Sequence, residues 1–155
     1  MSYVDRNLLP GEEVVYRTKV HWIVFAAPVL VFLVAVLILI ASAGGNQDHA
    51  AGSGIGIAFV IVAGALAFGR WVVWLSSEFA VTNKRVLIKV GFIQRHSLEL
   101  LLQKVEGIGV DQGIWGRVLD YGTIIVTGTG GTKEPFKNIA APLEFRKQVQ
   151  SRVTA

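Results

Sequence analysis

A chain of 155 residues has room for one ordinary domain, and two long uncharged stretches must first be subtracted from what can build a soluble core. Hydrophobic residues make up 52% and crowd the first half, whereas the whole formal charge of +4 falls in residues 76–155, with 11 basic and 7 acidic side chains against 4 and 4 before them. The absence of cysteine excludes a disulfide framework and a thiolate metal site, and so small a positive excess, without basic and aromatic residues interleaved, excludes a nucleic-acid surface.

Residues 1–21 contain an alternating run, with Val14, Tyr16 and Val20 on one face and Arg17 and Lys19 on the other, which predicts an additional strand. Residues 22–43 carry no charge. About 22 residues at 1.5 Å each reach about 33 Å, enough to cross a hydrocarbon core of about 30 Å, so a first transmembrane helix is expected there. Residues 55–75 repeat the pattern with one charge, Arg70, near the end, where its side chain reaches the headgroups. Trp22 at the start of the first span and Trp71 and Trp74 at the end of the second mark one membrane interface, and with Arg70 they are the expected anchors. A buried helix of a soluble protein this small would show a polar stripe, which neither segment has. Ala41-Ser42-Ala43 resembles a leader-cleavage pattern, but the apolar run is too long and Asp5, Glu12 and Glu13 precede it, so a retained anchor is expected.

Residues 44–54 contain no Lys or Arg, whereas Arg6, Arg17 and Lys19 precede the first span and Arg70, Lys84, Arg85 and Lys89 end or follow the second. The expectation is an external loop and a multi-pass protein of the cytoplasmic (inner) membrane with both termini in the cytoplasm. Gly52 and Gly56, like Ala65 and Gly69, are four apart, a spacing that suits close helix packing within the hairpin or between copies.

After residue 75 the period changes from helical to alternating. Residues 78–82 and 85–90 read as strands around an Asn83-Lys84 turn, followed by strands at 92–100 and 104–111, a helical turn at 114–119 and a strand at 121–127. Gly128-Thr129-Gly130-Gly131 supplies a hairpin turn into a strand near 132–138. Pro142 suits a first helical position, and Phe145, Val149 and Val153 share a face that can cover a sheet.

The run Val81-Thr82-Asn83-Lys84-Arg85-Val86, then Gly91, Val105-Glu106-Gly107-Ile108, Gly116-Arg117 and Tyr121-Gly122-Thr123, with Leu9-Pro10-Gly11-Glu12 and the paired spans, resembles the bacterial pleckstrin-homology-like family of small membrane proteins. The resemblance implies an α+β membrane protein. A two-helix transmembrane hairpin would carry a cytoplasmic PH-like domain at 76–155, a bent antiparallel sheet capped by a C-terminal helix, with no catalytic centre and, for most members, no defined ligand; no cofactor is expected.

Tests for catalytic chemistry agree with that expectation. His21, His49 and His96 fall in three separate regions and cannot meet at one metal, and the stretch 128–133 lacks the Gly-Lys-Ser/Thr ending of a phosphate loop. One basic stripe is a candidate site: Lys84, Arg85, Lys89 and Arg95 could meet anionic lipid headgroups, since the eukaryotic domains similar to this family often bind phosphoinositides near such a hairpin. The reading is a non-enzymatic scaffold or binding module in the lipid bilayer, self-associating or serving as accessory subunit of a larger complex. Headgroup recognition is the alternative, and a small pore or transporter is disfavoured by the lack of internal charge.

Overall fold

The computed structural model describes residues 3–43, 49–91 and 96–153. The chain divides into two compact units, one made of Met1–His21 with Val73–Ala155 and the other of Trp22–Val72. Residues 44–48, the first part of the expected external loop, and residues 92–95, which include the expected site residue Arg95, lie outside the described residues.

In the apolar unit, Trp22–Phe25 forms a 3-10 turn before helix α2, Ala26–Ala43. Pro28 explains the change. It has no N–H to give the carbonyl four residues back, so the regular ladder starts around it, within the first turn, where donors are unpaired anyway. Helix α3 extends from His49 into Ser76, six residues earlier than the sequence predicts. Residues 49–54, expected within the external loop, are helical: Ala50 and Ala51 favour the helix, and the close approach of Gly52 to Ser42 packs that turn against α2. Helices α2 and α3 meet through small residues, Ala35 and Ala63 being buried. A Cβ on Gly56 would stand 2.5 Å from the Leu39 side chain, and one on Gly52 2.6 Å from Ser42, so this glycine pair serves packing inside the hairpin. Gly69 has open space where a Cβ would lie, and Ala65 is exposed. Large apolar residues cover the outside, including Leu30, Leu37 and Ile40 on α2 and Ile57, Ile61 and Phe68 on α3.

In the β unit, a short helix α1 (Tyr3–Arg6) precedes strand β1 (Val14–Thr18). Strands β2 (Glu78–Thr82), β3 (Arg85–Val90) and β4 (His96–Leu101) join β1 in one antiparallel sheet of order β1-β2-β3-β4. Strands β5 (Val105–Asp111), β6 (Tyr121–Gly128) and β7 (Lys133–Ala140) make a second, of order β5-β6-β7. Helix α4 (Ile114–Val118) links β5 to β6, and α5 (Pro142–Val153) follows β7. The sequence predicts a single bent sheet. The division into two comes from the 3-10 turn Leu102–Lys104, whose buried Leu102 and inward backbone bonds end one ladder before the next begins.

The residues around the two apolar helices are reunited here. Strand β1 pairs with β2, Thr18 standing opposite Phe79, although the whole apolar unit separates them in sequence. Past β1 the chain turns to the second sheet: the amide of Ala140 donates to Lys19, Val20 bridges Ile139, and the His21 amide donates to Asn138. Strand β7 runs to Ala140, beyond the predicted end at 138, because a bulge opposite Gly122 and Ile124 absorbs an extra residue and Asn138 takes the left-handed conformation at φ 57°.

Between the sheets lie Phe79, Ile88, Ile124, Val126, Phe136 and Ile139, closed by Phe145 and Val149 of α5, with Phe79 and Phe136 edge to face at 6.0 Å. The outer face of the first sheet has a core of its own, in which Val4 packs with Ala80 and Leu87 beneath Leu8 and Val14. That is why β2 is buried on both faces and reads as a continuous apolar run.

Candidate binding surfaces

Three of the four predicted headgroup residues lie on the β2–β3 hairpin, beneath residues 3–13. Arg85 is only 12% exposed at its side chain and Glu12 is fully enclosed. The Arg85 guanidinium donates from Nε to Glu12 Oε1 at 3.0 Å and from Nη2 to Glu12 Oε2 at 3.1 Å, a two-point fork, and further bonds reach Glu99 at 2.6 Å and the Asn7 carbonyl at 2.5 Å. The Thr82 hydroxyl donates to Glu12 Oε1 at 2.7 Å and accepts from the amides of Lys84 and Arg85, holding the turn.

Burial alone would raise the Glu12 pKa. The Arg85 fork, the Leu9 amide and the Thr82 hydroxyl overcome it and hold the carboxyl at about 2, against 4.5 in an open chain. The hydrogen bonds that Arg85 donates to Glu12 correspondingly raise the Arg85 pKa. Asn83 exchanges bonds with Gly11 and Glu13, Lys84 Nζ donates to the Pro10 carbonyl at 3.0 Å, and Lys89 lies 4.6 Å above the Tyr3 ring. Glu78 accepts the first amides of α1, from Tyr3 and Val4, and Asp5 pairs with Arg17. The hairpin cations thus bind residues 3–13 of their own chain, with the Arg85 charge neutralised internally.

Arg95 lies outside the described residues. Of the interface anchors, Trp22, Trp71 and Arg70 are exposed in the apolar unit and Trp74 falls in the last turns of α3. The glycine-rich segment closes a hairpin, the Gly131 amide donating to Gly128, with Gly130 and Gly131 at φ 109° and 76° and strand β7 directly after it. Among the described residues no three His, Cys, Asp or Glu side chains converge as a metal site would require.

A different surface has the form of a receptor. Strand β5 ends the order β5-β6-β7, and among the described residues no strand pairs with its other edge. Beside that edge runs a groove of about 580 Å³, lined on the strand by Val105, Glu106, Gly107 and Ile108 and on α5 by Lys147, Val149, Gln150, Ser151 and Val153. Helix α5 buries Phe145 and Val149 as the predicted face requires, but Val153 remains 44% exposed and contributes to the groove wall. A side chain at Gly107 would meet open space, and one at Gly109 only ordinary contact with Ile125, so internal packing does not demand either glycine. Glycine in a strand edge lets another backbone approach closely. A free edge, a flanking helix and an apolar floor can bind an extended segment through main-chain bonds.

Two helical features of the β unit, among others, escape sequence reasoning. Helix α1 lacks the length to show a period, and the apolar residues of α4 are exposed although nothing in their spacing marks them as surface.

A family model described as bacterial PH domain matches residues 24–153, whereas no curated protein and no solved structure matches the chain.

Proposed function

The chain belongs to the bacterial PH domain family, and from that premise we propose that it is a non-enzymatic binding module, tethered to the cytoplasmic membrane by a two-span hairpin, that takes an extended segment of a protein partner or a second copy along β5. Domains of this kind are generally non-catalytic binding modules. The observation that carries the reading is that, among the described residues, no strand pairs with the outer edge of β5, beside the α5 groove.

Insertion is supported by helices that are long and apolar yet only 11% buried over their most hydrophobic windows, unlike core helices of a soluble protein. Retention of the first span is supported by β1, since cleavage after Ala43 would remove a strand from the sheet. The same pairing of β1 with β2 requires the chain to return to the side from which it left, as two crossings do. Together with the basic flanks, this supports a β unit assembled in the cytoplasm from both ends of the hairpin.

Gly107→Phe tests the groove, because its side chain enters open space without a positive φ to strain it. After gentle detergent extraction at native expression, the protein mass of the particle, bound detergent subtracted, is expected to exceed that of the 16.8 kDa protomer. The variant is expected to lose that association by about tenfold or more, equivalent to about 1.4 kcal/mol, with unchanged thermal stability. A strictly monomeric native particle with no co-purifying protein, or association indifferent to Gly107→Phe, would contradict the reading.

A further inference from the structure

Among the described residues of the β unit, helix α4 presents the most exposed large apolar side chains: Ile114 is 83% exposed, Trp115 71% and Val118 70%. Ile114 and Val118 are one turn apart with Trp115 beside them, so they form one ridge. The ridge is held firmly. Gly116 is buried, and a Cβ there would stand 2.5 Å from the Tyr121 carbonyl oxygen, so the turn sits directly on the start of β6. Gln112 fastens it, its Nε2 donating to the Tyr121 carbonyl at 3.1 Å and to that of Gly116 at 3.3 Å. The fold therefore holds three apolar side chains in solvent on a rigid support, a costly arrangement unless something covers them.

Connectivity points to the occupant. The Tyr121 ring, on whose backbone α4 rests, stacks on the His21 imidazole with centroids 5.3 Å apart. The residue after His21 is Trp22, where the first apolar segment begins. Three side chains fall well short of the about 800 Å² that each partner commits in a stable protein interface. They match an interfacial anchor better: a tryptophan between aliphatic residues, exposed Arg117 on the same turn, and a net +4 over residues 1–21 and 73–155 to attract anionic headgroups.

We propose that Ile114, Trp115 and Val118 insert into the headgroup boundary of the bilayer, a third membrane contact that fixes the orientation of the β unit. The proposal rests on the membrane reading above. Burial of about 5–10 Å, as amphipathic elements achieve at this boundary, would cover the ridge and leave Arg117 at the phosphates.

The 155-residue chain, which contains no cysteine, can be given single cysteines by Ile114→Cys, Val118→Cys, Lys133→Cys and Ile61→Cys, each labelled with a polarity-sensitive fluorophore. Each variant is reconstituted in vesicles of phosphatidylethanolamine and phosphatidylglycerol. Labels at 114 and 118 are expected to be quenched by a nitroxide near the headgroup end of the acyl chain at least about twofold more than the label at 133, as shallow burial requires. The label at 61, in α3, is expected to respond to a deep nitroxide. If 61 responds and 114 and 118 behave like 133, the proposal is overturned and the spans stand. If 61 also fails to respond, the membrane reading fails and this proposal with it. Shielding of 114 and 118 from an aqueous quencher without quenching by lipid nitroxide would mean that protein covers the ridge, which also overturns it.

Discussion

Arg85→Ala is expected to destabilise the β unit by about 3–5 kcal/mol, because truncation leaves the enclosed Glu12 carboxylate without its counter-ion. Arg85→Lys should recover only part of the loss, since a point charge cannot reproduce the two-point fork. The pH dependence has a definite sign. Glu12 titrates at about 2 in the fold and at 4.5 in an open chain, so its contribution is complete above pH 4.5 and is lost as pH falls toward 2. The interval corresponds to about 3 kcal/mol. Amide hydrogen exchange of β2 and β3 in the detergent-solubilised protein measures both effects. Loss of protection between pH 4.5 and 2 should be clear in the native chain and blunted in Glu12→Gln. A change below about 0.5 kcal/mol for Arg85→Ala would place it among ordinary surface substitutions and contradict a structural role for the network.

A fragment of residues 76–155, the span that the sequence marks as the domain, is expected not to fold. It lacks β1, so β2 gains an unpaired edge; it lacks Val4, so Ala80 and Leu87 are uncovered; and it lacks Glu12, so Arg85 retains only Glu99 among its acidic partners. Fusing residues 1–21 to 73–155 through a short Gly/Ser linker should restore a folded, soluble unit, since Thr18 already stands opposite Phe79. Amide spectra decide the matter, with collapsed dispersion expected for the fragment and wide dispersion for the fusion. A fragment as well dispersed as the fusion would show that the N-terminal segment is dispensable.

Elements with a period of their own were legible in the sequence. The apolar helices declared themselves by length, β2 and β3 as short apolar runs on either side of the Asn83-Lys84 turn, β6 by alternation, and α5 by Pro142 and the spacing of Phe145 and Val149. What stayed hidden depends on contacts between residues far apart. Nothing local in Glu12 shows that it will be enclosed by Arg85, so Arg85 reads as a free cation on a basic hairpin when it is half of an internal pair. Similarly, the alternation of residues 14–20 predicts a strand but not its neighbour, and only the pairing with β2 makes the domain discontinuous. The β5 groove stayed hidden as well, because its wall comes from α5, about 40 residues further along the chain.

Accessibility of single cysteines tests most directly the claim that a two-span hairpin carries the β unit on one side of the membrane. Variants Asp48→Cys, Arg6→Cys and Lys133→Cys place a thiol between the apolar helices, before the first and after the second, with no native cysteine to compete. With the plasma membrane intact, an impermeant maleimide is expected to label position 48 and to spare positions 6 and 133 until the membrane is opened. Labelling of 6 and 133 with 48 protected would invert the protein, and labelling of all three before opening would contradict the two-span account.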